Sequence, residues 1–376
     1  MMQDLQVCSR CVMDTTAVEI EFYEDGRCSF CKNYDENISR DLHDDAEGAA
    51  QLAAMIEQIK RRGKDNQYDC LIGLSGGVDS SYVAYLVARK YGLRTLAVHL
   101  DNGWNSELSV ANIEKLVKAL NIDLYTHVLD WNEFRDIQVS FLKSSISNIE
   151  IPTDHAIWAV LIKTAAKMKI PYIIAGNNVV TESIMPESWL YGSKDSKLIR
   201  AIHKQFGRVK MLTYPYLSTI DYVRYLLVRG TRWVPILNYI DFNKAAAKQL
   251  LIDELGWRDY GGKHYESIFT RFFHAFYLPE KYGYDLRKSY NSALVCSGQI
   301  TREAALAELR TPPAPSEMIS QDRSYVLKKL GLSEDDFVNI LSNPNKTADD
   351  YPNNSNLWHR FGHVVRWARN RIIRVG

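Results

Sequence analysis

The chain lacks a long apolar run: no stretch of its 376 residues reaches the ~18 consecutive apolar positions that a membrane-spanning helix needs. Its opening, "MMQDLQVCSR", has no signal-peptide core, so a cytoplasmic location is expected. Neither sign of charge is in excess, with 46 Lys and Arg against 45 Asp and Glu and a formal net charge of +1. No global field then draws the chain to nucleic acid or an anionic membrane, and a polyanion site must come from local clustering. Cysteine is scarce too. Six thiols in an unsecreted chain argue against a disulfide framework, and four of the six fall within the first 31 residues. Internal repeats and low-complexity tracts are missing. What is present, 46% hydrophobic and 24% charged residues, suffices for a sizeable core and two or three domains.

Three parts follow from the pattern. Residues 1–45 hold the cysteines in turn-rich sequence. A helix then starts in "DLHDDAEGAAQLAAMIEQIKRRG", with an inner face predicted at Ala46, Ala49, Leu52, Ile56 and Ile59. Residues 46–240 alternate strands ("CLIGL", "RTLAVHLD", "DLYTHVLD", "PYIIAG") with helices (from Asp79, "SELSVANIEKLVKAL", "WNEFRDIQVSFLKSS", "HAIWAVLIKTAAKMK"). Such alternation predicts an α/β fold, a doubly wound parallel sheet with helices on both faces and ligands at the carboxyl ends of its strands. Residues 241–376 are helical and aromatic: "IDFNKAAAKQLLIDELGW" ends a helix at Gly256, and "TPPAPSE" predicts a linker over Thr311 to Glu317.

In "LIGLSGGVDSSYVAYLV" a buried-looking strand stops at Ser75 and helical spacing resumes with Val83, Leu86 and Val87. Gly76 and Gly77 can take backbone angles closed to other residues, so successive N–H groups can point into the mouth of the next helix. That makes an anion site, with hydroxyls at Ser75, Ser80 and Ser81 as further donors and the helix dipole favouring a phosphate. The Lys of GxxxxGK[ST] is missing, so this is no Walker motif. Asp79 would repel a bare phosphate, which implies a bridging Mg²⁺. The competing reading is a Gly-Gly turn in which Asp and Ser only cap a helix.

Cys8 and Cys11 are two residues apart, as are Cys28 and Cys31, with sixteen residues between the pairs. C-x₂-C-x₁₆-C-x₂-C fits a closed four-thiolate zinc site of structural type. An iron–sulfur cluster, redox thiols and chance are the alternatives. Cys70 and Cys296 read as packed thiols.

"SGGVDSS" at the end of a first strand resembles the pyrophosphate loop of the PP-loop ATP pyrophosphatases, which are similar to adenine nucleotide alpha hydrolases. These enzymes cleave ATP between its α and β phosphates and adenylate a weakly reactive oxygen, which a nucleophile displaces with loss of AMP. The resemblance implies that Ser75, Gly76, Gly77, Val78, Asp79, Ser80 and Ser81 hold pyrophosphate and its metal, and that His99 to Asp101 lie beside adenine or ribose. Together with "CSRCVMDTT", "IPTDHAI", "AGNNVVTES" and "YGGKHYESIFTRFFHAFYLPEKYGYDLRK", the loop looks like the N-acetyl sugar amidotransferase family of bacterial surface-polysaccharide and flagellin-glycan biosynthesis. That resemblance implies conversion of an acetamido group on a sugar into an acetamidino group, with ATP, Mg²⁺ and Zn²⁺ as cofactors and ammonia from a separate glutaminase subunit. The chain itself shows no glutaminase nucleophile, since neither "YDCLIG" nor "LVCSGQ" reads as a nucleophile elbow.

Other candidates follow. "TDHAI" opens a predicted helix, so Asp154 either caps it or, with His155, reaches the substrate. Asn177, Asn178 and Glu182 follow the strand ending at Ala175, at the ligand edge of the sheet. Glu182 resembles the carboxylate that holds Mg²⁺ in related synthetases, with a plain surface loop as the alternative. Ile268, Phe269, Phe272, Phe273 and Phe276 form a core stripe. Gly261 and Gly262 would let the backbone bring Lys263 over the nucleotide to neutralise phosphates as a catalytic group, with Arg271 helping to bind an anionic sugar and Glu266 also among the substrate-binding candidates; a solvated helix end is the alternative. The tail "WHRFGHVVRWARNRIIRVG" reads as a basic helix docked on the body, or else against a partner or a membrane carrying a lipid-linked sugar.

Two other functions fit parts of this pattern. A tRNA-thiolating PP-loop enzyme would need a sulfur-handling Cys beside the loop and a basic face, and a near-zero net charge with two spare cysteines disfavours it. An ATP-binding regulatory subunit that has lost catalysis is disfavoured by the intact loop with Asp79 and Glu182.

Overall fold

The computed structural model describes residues 5–227 and 230–354. Five parallel strands form one sheet in the order β3-β2-β1-β4-β5: β1 Cys70–Gly73, β2 Thr95–Asp101, β3 Asp123–Val128, β4 Tyr172–Ala175 and β5 Arg232–Pro235. The order reverses between β1 and β4, where Ile72 is paired with Ala97 on one side and Ile174 on the other. A crevice opens at that switch point beyond the carboxyl ends of both strands. β1 and β4 are buried through Leu71, Ile72, Ile173 and Ile174 because both sheet faces are covered, whereas β3 is an exposed edge. β5, "RWVP", is too short and too polar at its start to announce itself.

The predicted helices form with shifted ends. Asp45 caps the helix Ala46–Gly63 by accepting from Gly48 N, and Leu52, Ile56 and Ile59 face inward as expected. Ala46 and Ala49 do not; they are exposed. Gly48 takes the inward place because a Cβ there would lie 1.8 Å from the His43 carbonyl oxygen. The helix written from His155 begins earlier, at Ile151. Asp154 therefore sits inside its first turn and is not its cap. Gly256, at φ +62°, closes the helix Lys244–Leu255.

The linker expectation fails for a physical reason. Thr311 to Glu317 joins the helices Arg302–Leu309 and Ser316–Leu330, yet Ala314 is buried and Pro313 O accepts from Tyr265 OH at 3.0 Å. It is a turn pressed onto the segment before the cleft. The N-terminal cysteines likewise pack against later parts of the chain. Cys8, Cys11, Met13, Cys28 and Cys31 share one core with Phe269, Phe272, Phe273, Leu286 and Val326. Arg302 ties the two together by donating to Cys8 O at 2.8 Å. Among the described residues no helix is long and apolar enough to cross a membrane. The basic tail, Trp358 to Arg374, lies outside the described residues.

Candidate active site

A cleft of about 680 Å³ opens at the switch point. Its floor is the turn after β1. Gly76 takes φ +85°, the left-handed conformation that glycine permits, while Gly77 is extended at φ −68° and ψ 163°. The Gly76 carbonyl is held by Trp257 Nε1 at 2.9 Å and Tyr260 OH at 3.0 Å. The Gly77 N–H consequently faces the other way, toward Ser75 Oγ at 3.3 Å. Ser75 Oγ and Ser80 Oγ lie 3.0 Å apart at the mouth of the helix Val78–Tyr85. Backbone N–H groups, hydroxyls and the helix dipole thus converge there, which is the composition of an anion cradle.

Gly77 needs its hydrogen for space, since a Cβ would come 3.0 Å from Glu266 Oε1. Gly76 needs it for both reasons: at positive φ a Cβ would lie 2.9 Å from Tyr260 OH and 3.1 Å from Ser109 Oγ. Gly76→Ala is expected to lower stability by about 1–3 kcal/mol and to weaken ATP binding measured by calorimetry. A variant binding ATP as the wild type does would show that the loop is not the cradle. Gly176, after β4, lets the backbone come close to this helix, because a Cβ would stand 3.2 Å from the Asp79 carbonyl carbon.

Asp79 lines the cleft in the first turn of that helix. Its Oδ2 lies 3.8 Å from Lys244 Nζ, and its Oδ1 is buried without a hydrogen-bond partner. An orphaned carboxylate oxygen beside an anion cradle is the donor set a Mg²⁺ ion takes. Glu182 lines the same cleft from the helix Val179–Glu182, and its charge and that of Asp79 both act on Lys263. Lys263 rests its Nζ over the Tyr290 ring, 3.4 Å from the centroid. Burial and the nearby Lys244 push it down to about 8, against the pull of Glu182, Asp79 and Glu266. Glu266 is opposite: burial works against its charge, yet His264 and Lys244 keep its carboxyl below the usual range.

His99, Asn177 and Asp154 also line the cleft. His99 Nδ1 donates to Leu74 O at 2.8 Å, which leaves Nε2 to accept from Asn105 Nδ2 at 3.0 Å. Asn177 Oδ1 accepts from Trp233 Nε1 of β5 at 2.9 Å. Asn178 is instead a helix cap, accepting from Thr181 N at 2.9 Å. Asp154 is open to the cleft mouth but ringed by protein, and burial followed by the charge of Glu182 pushes its carboxyl up to about 7.

Six expected site residues do not line the cleft: Gly76, whose carbonyl is held by Trp257 and Tyr260, the helix cap Asn178, and four more. Ser81 is buried beneath the loop, one residue past the turn that faces outward. Asp101 closes the turn after β2, its Oδ1 accepting from Gly103 N at 2.9 Å. His155, the next residue after Asp154 on the same helix, turns away from the cleft. Its Nδ1 donates to Ser193 O at 2.9 Å, its Nε2 accepts from Leu217 N at 3.1 Å, and burial pushes it down to about 4. Arg271 is locked in a bidentate pair with Asp322, at 2.5 and 2.7 Å, that joins two helices.

The structure adds residues that motif reading missed. Lys244 opens its helix from the first position, where a cation opposes the helix dipole, and that misfit was the available signal. His264 has φ +64°, rare for a side chain of its size, and its buried Nε2 has no partner. Tyr260 and Thr270 lie in the quoted stretch from Tyr260 onward with no role assigned there, and Trp257 and Glu150 belong to none of the resemblance motifs.

Away from the cleft, the Sγ atoms of Cys8, Cys11, Cys28 and Cys31 lie within 4.8 Å of one another. Cys8 to Cys31 is 3.8 Å and Cys11 to Cys28 is 3.7 Å. A tetrahedral ion with metal–sulfur bonds of about 2.3 Å needs edges of about 3.8 Å, so the four thiols fit such an ion. Cys296 is not a remote packed thiol, since its Sγ lies 3.8 Å from Cys31 Sγ.

Residues 51–183, which carry the loop, match the NAD synthase family, and residues 266–365 match the C-terminal domain of the WbpG-like LPS biosynthesis proteins. The chain's two matched stretches are consistent with a PP-loop ATP pyrophosphatase domain and a WbpG-like domain, and neither match spans half of the 376 residues. A WbpG-like C-terminal domain follows its PP-loop domain, and Glu266, Thr270, Phe273, His274 and Tyr290 of that domain line the cleft with Ser75 and Asp79. A GMP synthase (glutamine-hydrolyzing) of Pyrobaculum aerophilum is 32% identical over 106 residues, 28% of this chain. The chain spans only 20% of the length of that relative. An uncharacterised protein of Methanocaldococcus jannaschii is 22% identical over 285 residues, covering 74% of this chain and 84% of that protein. Among solved structures, an NH3-dependent NAD synthetase from Campylobacter jejuni is 21% identical with a TM-score of 0.28, covering 39% of this chain and 63% of that one. An NMN synthetase from Francisella tularensis is 20% identical with a TM-score of 0.29, covering 52% and 74%.

Proposed function

We propose that the protein is an ATP-dependent amidotransferase that converts the acetamido group of a sugar into an acetamidino group, releasing AMP and pyrophosphate, in bacterial surface-polysaccharide biosynthesis such as that of an O-antigen. One observation carries the reading: residues of the WbpG-like domain and of the pyrophosphate loop line a single cleft. An amide carbonyl is a poor electrophile, but its oxygen can attack the α-phosphorus of ATP. Displacement of AMP from the resulting imidoyl adenylate by ammonia then gives the amidine. Such chemistry asks for positioning and charge neutralisation and needs no protein nucleophile.

In this reading the turn at Ser75–Ser80 binds the departing pyrophosphate, and Asp79 with Glu182 would hold Mg²⁺, which neutralises phosphate charge when bound. His99 lies toward the nucleoside, Asp154, Asn177 and Glu266 toward the sugar. The four cysteines hold a structural zinc ion, ammonia comes from a separate glutaminase, and the location is cytoplasmic. The division into a cysteine module at 1–45, a PP-loop domain at 46–240 and a helical substrate or partner region at 241–376 belongs to the same proposal.

Lys263 supplies a positive charge to the β,γ-phosphates, so it must be protonated. Because its folded value is depressed to about 8, AMP release should fall as pH rises through that value. Lys263→Met is expected to lower AMP release by about 10²-fold, while Lys263→Arg, always charged, should keep activity and lose the alkaline limb. Wild-type AMP formation by Lys263→Met would remove the assignment.

The thiolation reading meets an obstacle in the structure: among the described residues no cysteine lines the cleft. Cys70 is buried in β1 against Thr95 Oγ1, and Cys296 sits at the cysteine cluster. The deciding experiment is mass spectrometry of the products from ATP, Mg²⁺, ammonium and a panel of diacetamido sugars. A sugar about 1 Da lighter, formed together with AMP, is expected, since carbonyl oxygen is exchanged for an NH group. No AMP with any acetamido sugar, or salt-dependent tRNA binding with sulfur transfer, would overturn the proposal.

A further inference from the structure

One carboxylate in the cleft has no task in the reaction as drawn. Glu150 is 8% exposed and occupies the position before the helix Ile151–Lys167, yet its side chain makes no capping hydrogen bond. Its Oε2 accepts from Thr270 Oγ1 at 3.2 Å, whereas Oε1 is buried with no partner and the residue lines the cleft. An unpaired buried acceptor is costly, more so when charged, and a ligand that donates to it removes that cost. Asp154, one helical turn on, lines the same wall.

The titratable groups around this wall are defined. Glu182 acts on Asp154 from another segment, and the charge of Asp154 adds to burial in raising Tyr214. Tyr290 is held neutral by burial and lies under Lys263, and His274 is held neutral by burial and by the charges of His264 and Lys263. The wall is therefore acidic and aromatic, the chemistry that receives a small cation.

Resting on the function proposed above, the geometry points to Glu150 as the base that receives ammonium and takes its proton. Near neutral pH ammonia in water is mostly ammonium, whose nitrogen has no lone pair to give. One N–H bond breaks, the proton moves to Glu150 Oε1, and the freed lone pair forms a bond to the imidate carbon. The C=N electrons pass to the sugar nitrogen, which takes a second proton from the incoming nitrogen. The C–O bond to the adenylate then breaks, its electron pair leaves with AMP, and the product is an amidinium cation. Glu150 returns its proton to water. A carboxylate of ordinary acidity would be a poor partner for ammonium. Burial, and then the charge of Asp154, push Glu150 up to about 8, with Thr270 opposing. Because Glu150 must be ionised, ammonium-dependent turnover gains an acid limb at that value, which together with the alkaline limb set by Lys263 makes the profile a bell.

Hydroxylamine separates this role from a structural one, because it is already neutral and nucleophilic near neutral pH and needs no base to free its lone pair. With the full-length protein, ATP, Mg²⁺ and the acceptor sugar, Glu150→Gln should lose about 10²-fold or more of ammonium-dependent AMP release. It should keep hydroxylamine-dependent AMP release within about threefold, forming an N-hydroxyamidine. Asp154→Asn, by removing a like charge, should move the acid limb to lower pH. Equal loss with both nucleophiles, or loss with neither, overturns the assignment, and so does an unmoved limb in Asp154→Asn. Should Glu150→Gln not fold, the wild type decides: an acid limb at about 8 with ammonium and not with hydroxylamine is expected, and the same limb with both overturns it. A wild type that releases no AMP with either nucleophile sinks the proposed function itself, a result distinct from any variant's failure.

Discussion

Asp79→Asn lowers AMP release by about 10²–10³-fold while leaving the thermal midpoint within a few degrees of the wild type. The argument is electrostatic. Asp79 Oδ1 is buried without a partner and Oδ2 reaches only Lys244, at 3.8 Å, so little of the fold depends on this carboxylate. A metal–triphosphate complex depends on it more. Its negative charge at the N-terminal end of the helix Val78–Tyr85 is the one site in the loop that attracts a cation to a phosphate bed otherwise built of N–H and O–H donors. Asparagine keeps the shape and removes the charge, so the loss belongs in turnover and in the Mg²⁺ concentration needed for half-maximal rate. Steady-state AMP assays over a Mg²⁺ series measure both. A variant with undiminished turnover at every Mg²⁺ concentration would place the metal elsewhere.

Cys11→Ser removes the metal and unfolds far more than the first 45 residues. Isolated, a four-thiolate module would fail alone. Here the sulfurs lie in the same core as Phe269, Phe273, Leu286 and Val326, and the backbone between them is tied outward. Val12 N donates to Ser292 Oγ at 3.1 Å, and Arg302 Nε donates to Cys11 O at 3.1 Å. Structural zinc contributes about 10–16 kcal/mol in small modules, comparable to the whole stability of an ordinary domain, about 5–15 kcal/mol. Loss of the ion should therefore expose the helices Ile268–Phe272 and Leu286–Cys296 to protease, together with the cleft wall they carry. Metal analysis should find about one zinc per wild-type chain. Limited proteolysis that trims only the first 45 residues of Cys11→Ser and leaves AMP release intact would show the module to be independent. Protein purified without chelator and free of zinc would remove the metal from the account.

Much of this fold was legible because its signals are local. The Gly-Gly turn after a buried strand, the alternation of strands and helices, the Gly256 stop and the paired cysteine knuckles each need only neighbours in sequence. Where the reading slipped, the deciding atoms were remote. Ala46 and Ala49 lost the inward face to Gly48 because the His43 carbonyl fills the space. Arg271 sits on the right segment to meet a sugar, but Asp322, fifty-one residues on, claims its guanidinium. His155 and Asp154 are adjacent in sequence, yet a helix sends adjacent side chains about 100° apart, so only one of them meets the cleft. Lys244 and Glu150 went unnoticed because neither belongs to a spaced pattern.

By itself the sequence determined the parallel sheet, the glycine turn after its first strand and the four-thiolate cluster, since backbone freedom at glycine, side-chain periodicity and ligand spacing are short-range properties. Tertiary structure alone decided which charges share a cavity: that Asp79, Glu182 and Glu266 all act on Lys263, that Glu150 is left with a bare oxygen, and that the cysteine cluster and the aromatic helices form one core. Those outcomes depend on distances across the fold, and electrostatic and packing energies follow distance in space, not separation along the chain.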